Sequence, residues 1–157
     1  MFEFVVRYLS LLKHIPLLPH VFEAALKIDL FIRNQQLLSA IDDLENEVLS
    51  WEGVTPKLHQ YGGMQFNFHN REIGHLHGNG MLDILFSRVL KAELMQSHTI
   101  REHHTFKNSG WISFYMKTPQ DKITALELLR HAYQLKMKRT TPSQSFEPVF
   151  ATLAEVL

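Results

Sequence analysis

The sequence predicts an α+β domain: an antiparallel sheet of about five or six strands, packed by helices on one face and extended at its N-terminus by further helices. Three observations predict it. Up to about Trp51 the apolar residues recur at helical spacing. From about Lys57 to Lys117 short apolar runs alternate with polar residues between Gly, Asn and Ser clusters, as strands do. From Thr118 the helical spacing returns. Helices, then strands, then helices mark segregated α+β order, not the alternation of a parallel α/β sheet. One domain is expected, with a helical part over 1–53, a sheet with helices over 54–138 and a tail over 139–157.

The elements follow in order. "MFEFVVRYLSLLKH" places Glu3, Arg7, Ser10 and His14 as a narrow polar stripe on an apolar helix. "PHVFEAALKIDLFIRN" sets Val21, Ala25, Ile28 and Ile32 on one face. "QQLLSAIDDLENEVLSWEG" carries the clearest stripe, Leu37, Leu38, Ile41, Leu44, Val48 and Trp51, opposite a solvated acidic face. The first two segments are more apolar than a lone surface helix requires. They pack across the domain, form a dimer contact or lie at a membrane surface.

In the middle block "KLHQYGG" reads as a short strand closed by glycines. "MQFNFHN" alternates Met64, Phe66 and Phe68 against Gln65, Asn67 and His69, and a turn at Asn70-Arg71 leads into "EIGHLH" as a hairpin. "MLDILF" is a strand or the lead-in to a helix. That helix, "SRVLKAELMQSH", has Phe86, Val89, Leu90 and Leu94 on one face and Ser87 as its cap. "IREHHTF" and "GWISFYMK" are strands around the turn "KNSG". On the last of these, Trp111, Ser113 and Tyr115 share one face and Ile112, Phe114 and Met116 the other, with core expected for both. Thr118 caps a helix with Pro119 in its first turn and Ile123, Leu126, Leu129 or Arg130, and Tyr133 at helical spacing. "TTPSQS" is a loop before a short final helix.

Composition excludes several classes. Sixteen basic residues balance sixteen acidic ones, so no global field draws in nucleic acid. The cluster Lys136, Lys138 and Arg139 reads as a helix terminus, where cations suit the macrodipole. The absence of cysteine excludes disulfides, thiolate metal sites and a cysteine nucleophile. The apolar start is interrupted by Glu3, Arg7 and Lys13 and broken by Pro16 and Pro19, so neither a secretory signal nor a membrane span is read there. A cytoplasmic protein is the expectation.

Chemistry concentrates in "REIGHLHGNG". Seven of the ten histidines fall between His59 and His104. On a strand His75 and His77 share a face with their β-carbons about 6 to 7 Å apart, within reach of one metal ion. A third ligand is sought among His59, His69, Asp83, Glu102, His103 and His104, and only one of the adjacent His103 and His104 can face that side. The cluster reads as a divalent-metal or proton-transfer site, as imidazoles that donate to a small polar or anionic ligand, or as polar residues on a half-exposed sheet face. Gly74, Gly78 and Gly80 allow positive φ or close backbone approach. No phosphate-binding loop or Gly-x-Ser-x-Gly elbow is present. Glu72 and Asp83 are candidate acid–base residues whose separation the sequence leaves open.

The stretches "FNFHNREIGHLHGNGMLDILF" and "EHHTFKNSGWISFYMKTPQDKITALELLRHAYQLK" carry a compound pattern: Arg-Glu-x-Gly-His-x-His-Gly, a following Asp, a helix, a His-His pair, then Ser-Gly-Trp-x-Ser-Phe and a helix. From Lys57 to about Met137 the chain thereby resembles the small luciferase-domain family of bacteria and fungi, not the far larger flavin-dependent barrel luciferases. The resemblance implies that Glu72, His75, His77, Asp83, His103, His104, Ser109, Gly110 and Trp111 occupy the family's motif positions; it implies no reaction. The expected function is a small-ligand or metal-ion binding domain with a histidine-lined groove. The ligand contacts are expected from His75, His77, His103, His104, Glu72, Asp83 and Trp111, and the metal ligands are His75 and His77. The alternative is a non-catalytic module that dimerises or binds a protein partner through its N-terminal helices.

Overall fold

The structure, a computed structural model, describes residues 18–138. The helix expected over 1–14, Arg139, the loop at 140–145 and the tail helix lie outside the described residues. In chain order the elements are α1 (Leu18–Arg33), α2 (Gln35–Leu49), β1 (Val54–Leu58), β2 (Met64–Phe68), β3 (Arg71–Leu76), β4 (Met81–Leu85), α3 (Arg88–Leu94), β5 (Ile100–Glu102), β6 (Trp111–Tyr115) and α4 (Asp121–Lys138). The strands form one six-stranded sheet in the order β1-β2-β3-β4-β6-β5, and every pairing is antiparallel. This is the expected α+β architecture, and "MLDILF" resolves as a strand.

The period of two sorts each strand between two faces. On one face the register Phe66–Gly74–Ile84–Ile112 runs beside Leu76–Leu82–Phe114. These residues are buried with the helices α2 and α4 over them. Helix α2 starts at Asn34, whose side chain accepts from Leu37 N at 3.0 Å. It buries Leu37, Ala40, Ile41, Leu44 and Val48. Helix α4 contributes Ala125, Leu128, Leu129 and Ala132. Gly74 lies beneath it, where a β-carbon would stand 2.7 Å from the Asp83 carbonyl oxygen and 3.4 Å from the Leu129 side chain.

Several local expectations shift. The β2–β3 turn is His69-Asn70, one residue earlier than expected, with His69 at φ +52° closing it. The strict alternation of β2 breaks at a register shift between Phe66 and Asn67. Val89 and Ile123 are exposed, because the buried faces are centred on Leu90 and Leu94 in α3 and on Leu128 and Leu129 in α4. Ser87 does cap α3, accepting from Leu90 N at 3.1 Å. Helix α4 starts at Asp121, not beside Thr118. The Asp121 carboxylate instead accepts from the backbone nitrogens of Lys117 and Thr118, both at 2.8 Å.

Helix α1 departs most. Its face Val21–Ala25–Ile28–Ile32, expected to pack across the domain, form a dimer contact or lie at a membrane surface, does not pack across the domain: Val21, Ile28 and Ile32 are 60%, 61% and 75% exposed, with Phe31 beside them at 55%. The half-buried side carries Phe22, Leu26 and Leu30. The helix is apolar on both sides, so periodicity alone does not choose the face that packs. Ion pairs from Lys27 to Glu45 (3.4 Å) and Asp42 (3.7 Å) fasten it to α2. Among the described residues no helix is long and apolar enough to cross a membrane.

Candidate functional site

The other sheet face is polar. One register line crosses all six strands: Lys57, Gln65, His75, Asp83, Ser113 and Arg101 lie side by side. Core was expected for both faces of β6. Only Ile112, Phe114 and Met116 are core, and Ser113 faces the polar row instead. A row of six polar side chains on one face needs partners, and the middle of the row supplies them to itself.

Asp83 is the centre. It is fully buried, and its Oδ1 accepts a short hydrogen bond from the Ser113 hydroxyl. Its Oδ2 has no hydrogen-bond partner. Three imidazole nitrogens surround that oxygen: Nε2 of His75 at 3.4 Å, of His103 at 3.6 Å and of His77 at 3.7 Å. His75 reaches it from the paired position on β3. His77 follows two residues on, at the same side, where its backbone nitrogen still bonds the Met81 carbonyl. His103 comes from the far edge, just after β5. The loop behind it is anchored by the buried Lys91, whose ammonium donates to the Lys107 carbonyl (2.6 Å) and Glu102 (3.2 Å).

Each ring is also held from behind. His75 Nδ1 lies 2.7 Å from Glu72 Oε1, and His77 Nδ1 lies 2.5 Å from Glu23 Oε1. The second oxygen of Glu23 accepts from Gly78 N at 2.7 Å. Glu23 belongs to α1, which reaches this position over glycines. A β-carbon on Gly78 would stand 3.0 Å from the Glu23 carbonyl oxygen, and one on Gly62 would stand 3.0 Å from that of Pro19. His59 stacks on His75 with centroids 3.7 Å apart. Trp111 is 5.4 Å from His75 and 5.7 Å from His103, forming an aromatic wall.

Charge follows from this geometry. Burial pushes the His77 imidazole down, but Asp83 and Glu23 outweigh burial and raise its pKa to about 9. His75 is raised against the same burial by Asp83 and Glu72. Burial would raise the Asp83 carboxyl, but the neighbouring His75 and His77 imidazoles and the Ser113 hydroxyl hold it well below the usual carboxylate range. His59 is driven down to about 4 by burial and by the neighbouring His75, so it is neutral at pH 7. His103 is lowered by burial, with Asp83 opposing.

The ligand atoms of His75, His77 and Asp83 all lie within 4.8 Å of one another. A cation about 2.0 to 2.1 Å from each, in tetrahedral geometry, needs them about 3.4 Å apart. The 3.4 and 3.7 Å separations from Asp83 Oδ2 fit that requirement. Two further groupings, His59–Glu72–His75 and Asp83–His103–His104, share members with this one.

Of the residues expected at the site, His75, His77, Asp83 and His103 converge. Glu72 stands behind His75, so Glu72 and Asp83 flank one imidazole instead of forming a pair. His104 is exposed and stacks on His103 at 4.5 Å. Of the other third-ligand candidates, His69 lies in the β2–β3 turn and Glu102 pairs with Lys91. Residues 70–132 match the family model of the luciferase domain. This segment is similar to the luciferase domain. The luciferase-domain match contains every residue that surrounds Asp83, from Glu72 to Ser113, but not Glu23 or His59. No curated protein and no solved structure matches the chain. Glu23 is the residue of this cluster that sequence reasoning missed. Its only signal is one carboxylate on a helix that also carries Lys27, Asp29 and Arg33, 54 residues from its partner.

Proposed function

We propose that this luciferase-domain protein binds one divalent metal ion through His75 Nε2, His77 Nε2 and Asp83 Oδ2, with the remaining coordination open to a small ligand. The buried, unpartnered Oδ2 of Asp83 carries this reading: a buried carboxylate oxygen without a donor is costly unless a cation meets it. The carboxylates behind His75 and His77 support it. An imidazole that donates Nδ1–H to a carboxylate turns its Nε2 lone pair toward a metal, the usual outer arrangement of histidine metal sites. Two imidazoles and one carboxylate suit zinc, iron or manganese.

The metal replaces the protons that His75 and His77 hold in its absence. Affinity therefore rises with pH and flattens above about pH 9, where His77 is neutral without metal. Metal content of protein purified without a histidine tag, by plasma mass spectrometry, tests the reading. One metal per chain is expected in the parent and none in the folded His75→Ala/His77→Ala variant. A parent that remains empty after incubation with zinc, manganese and iron would sink it.

A second reading concerns α1. Its exposed residues Val21, Ile28, Phe31 and Ile32 form an apolar face suited to a second copy or a protein partner. On this reading light scattering finds a dimer that Ile28→Glu/Ile32→Glu converts to a monomer. A monomeric parent at high concentration removes the self-association form of it.

A further inference from the structure

We propose that His103 is not a metal ligand but a fixed hydrogen-bond donor, and that the site therefore takes an anionic oxygen ligand, a small carboxylate or oxyanion, on the metal. The inference rests on the metal reading above and adds the class of ligand. By distance alone His103 would serve as a fourth ligand, since its Nε2 is 3.6 Å from Asp83 Oδ2, between the values for His75 and His77. Its other nitrogen decides otherwise. His103 Nδ1 accepts hydrogen bonds from the backbone nitrogens of Thr105 and Phe106, both at 3.1 Å. A nitrogen that accepts from N–H groups carries no proton, so in the neutral ring the proton sits on Nε2. For His75 and His77 the pattern is reversed, because their Nδ1 atoms face carboxylates.

Three similar rings thus present two lone pairs and one N–H to the same point. The lone pairs hold a cation. Among the described residues the acceptor this N–H faces is Asp83 Oδ2, and at 3.6 Å it lies beyond hydrogen-bond distance. It is left to bond an atom that the metal also holds, and that atom must offer a second lone pair. An oxyanion or carboxylate oxygen does; an amine bound through its single lone pair does not. Arg101 extends the same preference. It sits opposite Ser113 on the polar face, exposed at the rim, where its guanidinium can face the far oxygen of a carboxylate.

Two measurements test this. In the zinc-loaded protein, long-range proton–nitrogen correlation spectra should find His103 protonated on Nε2 and His75 and His77 protonated on Nδ1. If His103 carries its proton on Nδ1 like the other two, the proposal is overturned without any variant. In the cobalt-loaded protein, acetate titrated against the visible spectrum should bind about tenfold more weakly to His103→Phe than to the parent, with cobalt content unchanged. Equal acetate affinity overturns the proposal, and so does loss of cobalt comparable to that of His75→Ala. A parent that takes up no cobalt overturns the metal reading, and the proposal with it.

Discussion

Asp83→Asn is expected to weaken metal binding by at least about a hundredfold, because the site loses its one anionic ligand while both imidazoles stay in place. In the metal-free protein the same change leaves charged imidazoles around a neutral amide. Breaking such a buried pair costs about 3 to 5 kcal/mol. The cost has a predicted pH profile. His77 titrates near 6.5 when unfolded and at about 9 when folded, so the stability drawn from its charged form is fully present below about 6.5 and lost as the pH rises through about 9. Asp83 works in the opposite sense. Its depressed pKa contributes stability above the ordinary carboxylate value of 3.8, lost only in strong acid. Denaturant unfolding in chelator should therefore show a large penalty for Asp83→Asn at pH 6 and a smaller one near pH 9.5. An equal penalty at both would mean that Asp83 is not pairing with charged imidazoles.

Glu23→Gln is expected to weaken metal binding by about 10- to 100-fold, the usual effect of removing an outer carboxylate from a ligand histidine. Helix α1 should loosen at the same time. Glu23 is its link to His77 and Gly78, and α1 has no fully buried residue to hold it otherwise. Faster amide exchange is expected along α1. Glu72→Gln is the control. Glu72 holds His75 from within the same strand, so it should lower metal affinity similarly and leave exchange in α1 unchanged. Exchange in α1 that is unaltered by Glu23→Gln would show that the helix is held by its contacts with α2 alone.

Much of the site was legible because a strand has a period of two. That period alone put His75 and His77 on one side. It also separated Ile112, Phe114 and Met116 from the polar side of β6. Asp83 joined them through hairpin register, which the turn "GNG" fixes but the sequence does not display: Asp83 sits opposite His75 only because the β3–β4 turn has its particular length. His103 over His104 was equally open, since β5 ends at Glu102 and the choice depends on how the following loop folds back onto His103 Nδ1. Glu23 was out of reach. Its contact with His77 depends on which side of α1, apolar on more than one side, meets the rest of the domain, and that side carries the half-buried Phe22, Leu26 and Leu30 and the Lys27 that meets Glu45. The same ambiguity left open whether the Val21–Ile32 face packs across the domain or stays outward, and it is the outward face.

The most direct test is anomalous diffraction from crystals of the parent grown with zinc or manganese. The account predicts one peak about 2.0 to 2.2 Å from His75 Nε2, His77 Nε2 and Asp83 Oδ2 together. A peak elsewhere, or none at a metal concentration well above the ligand sites, would contradict it.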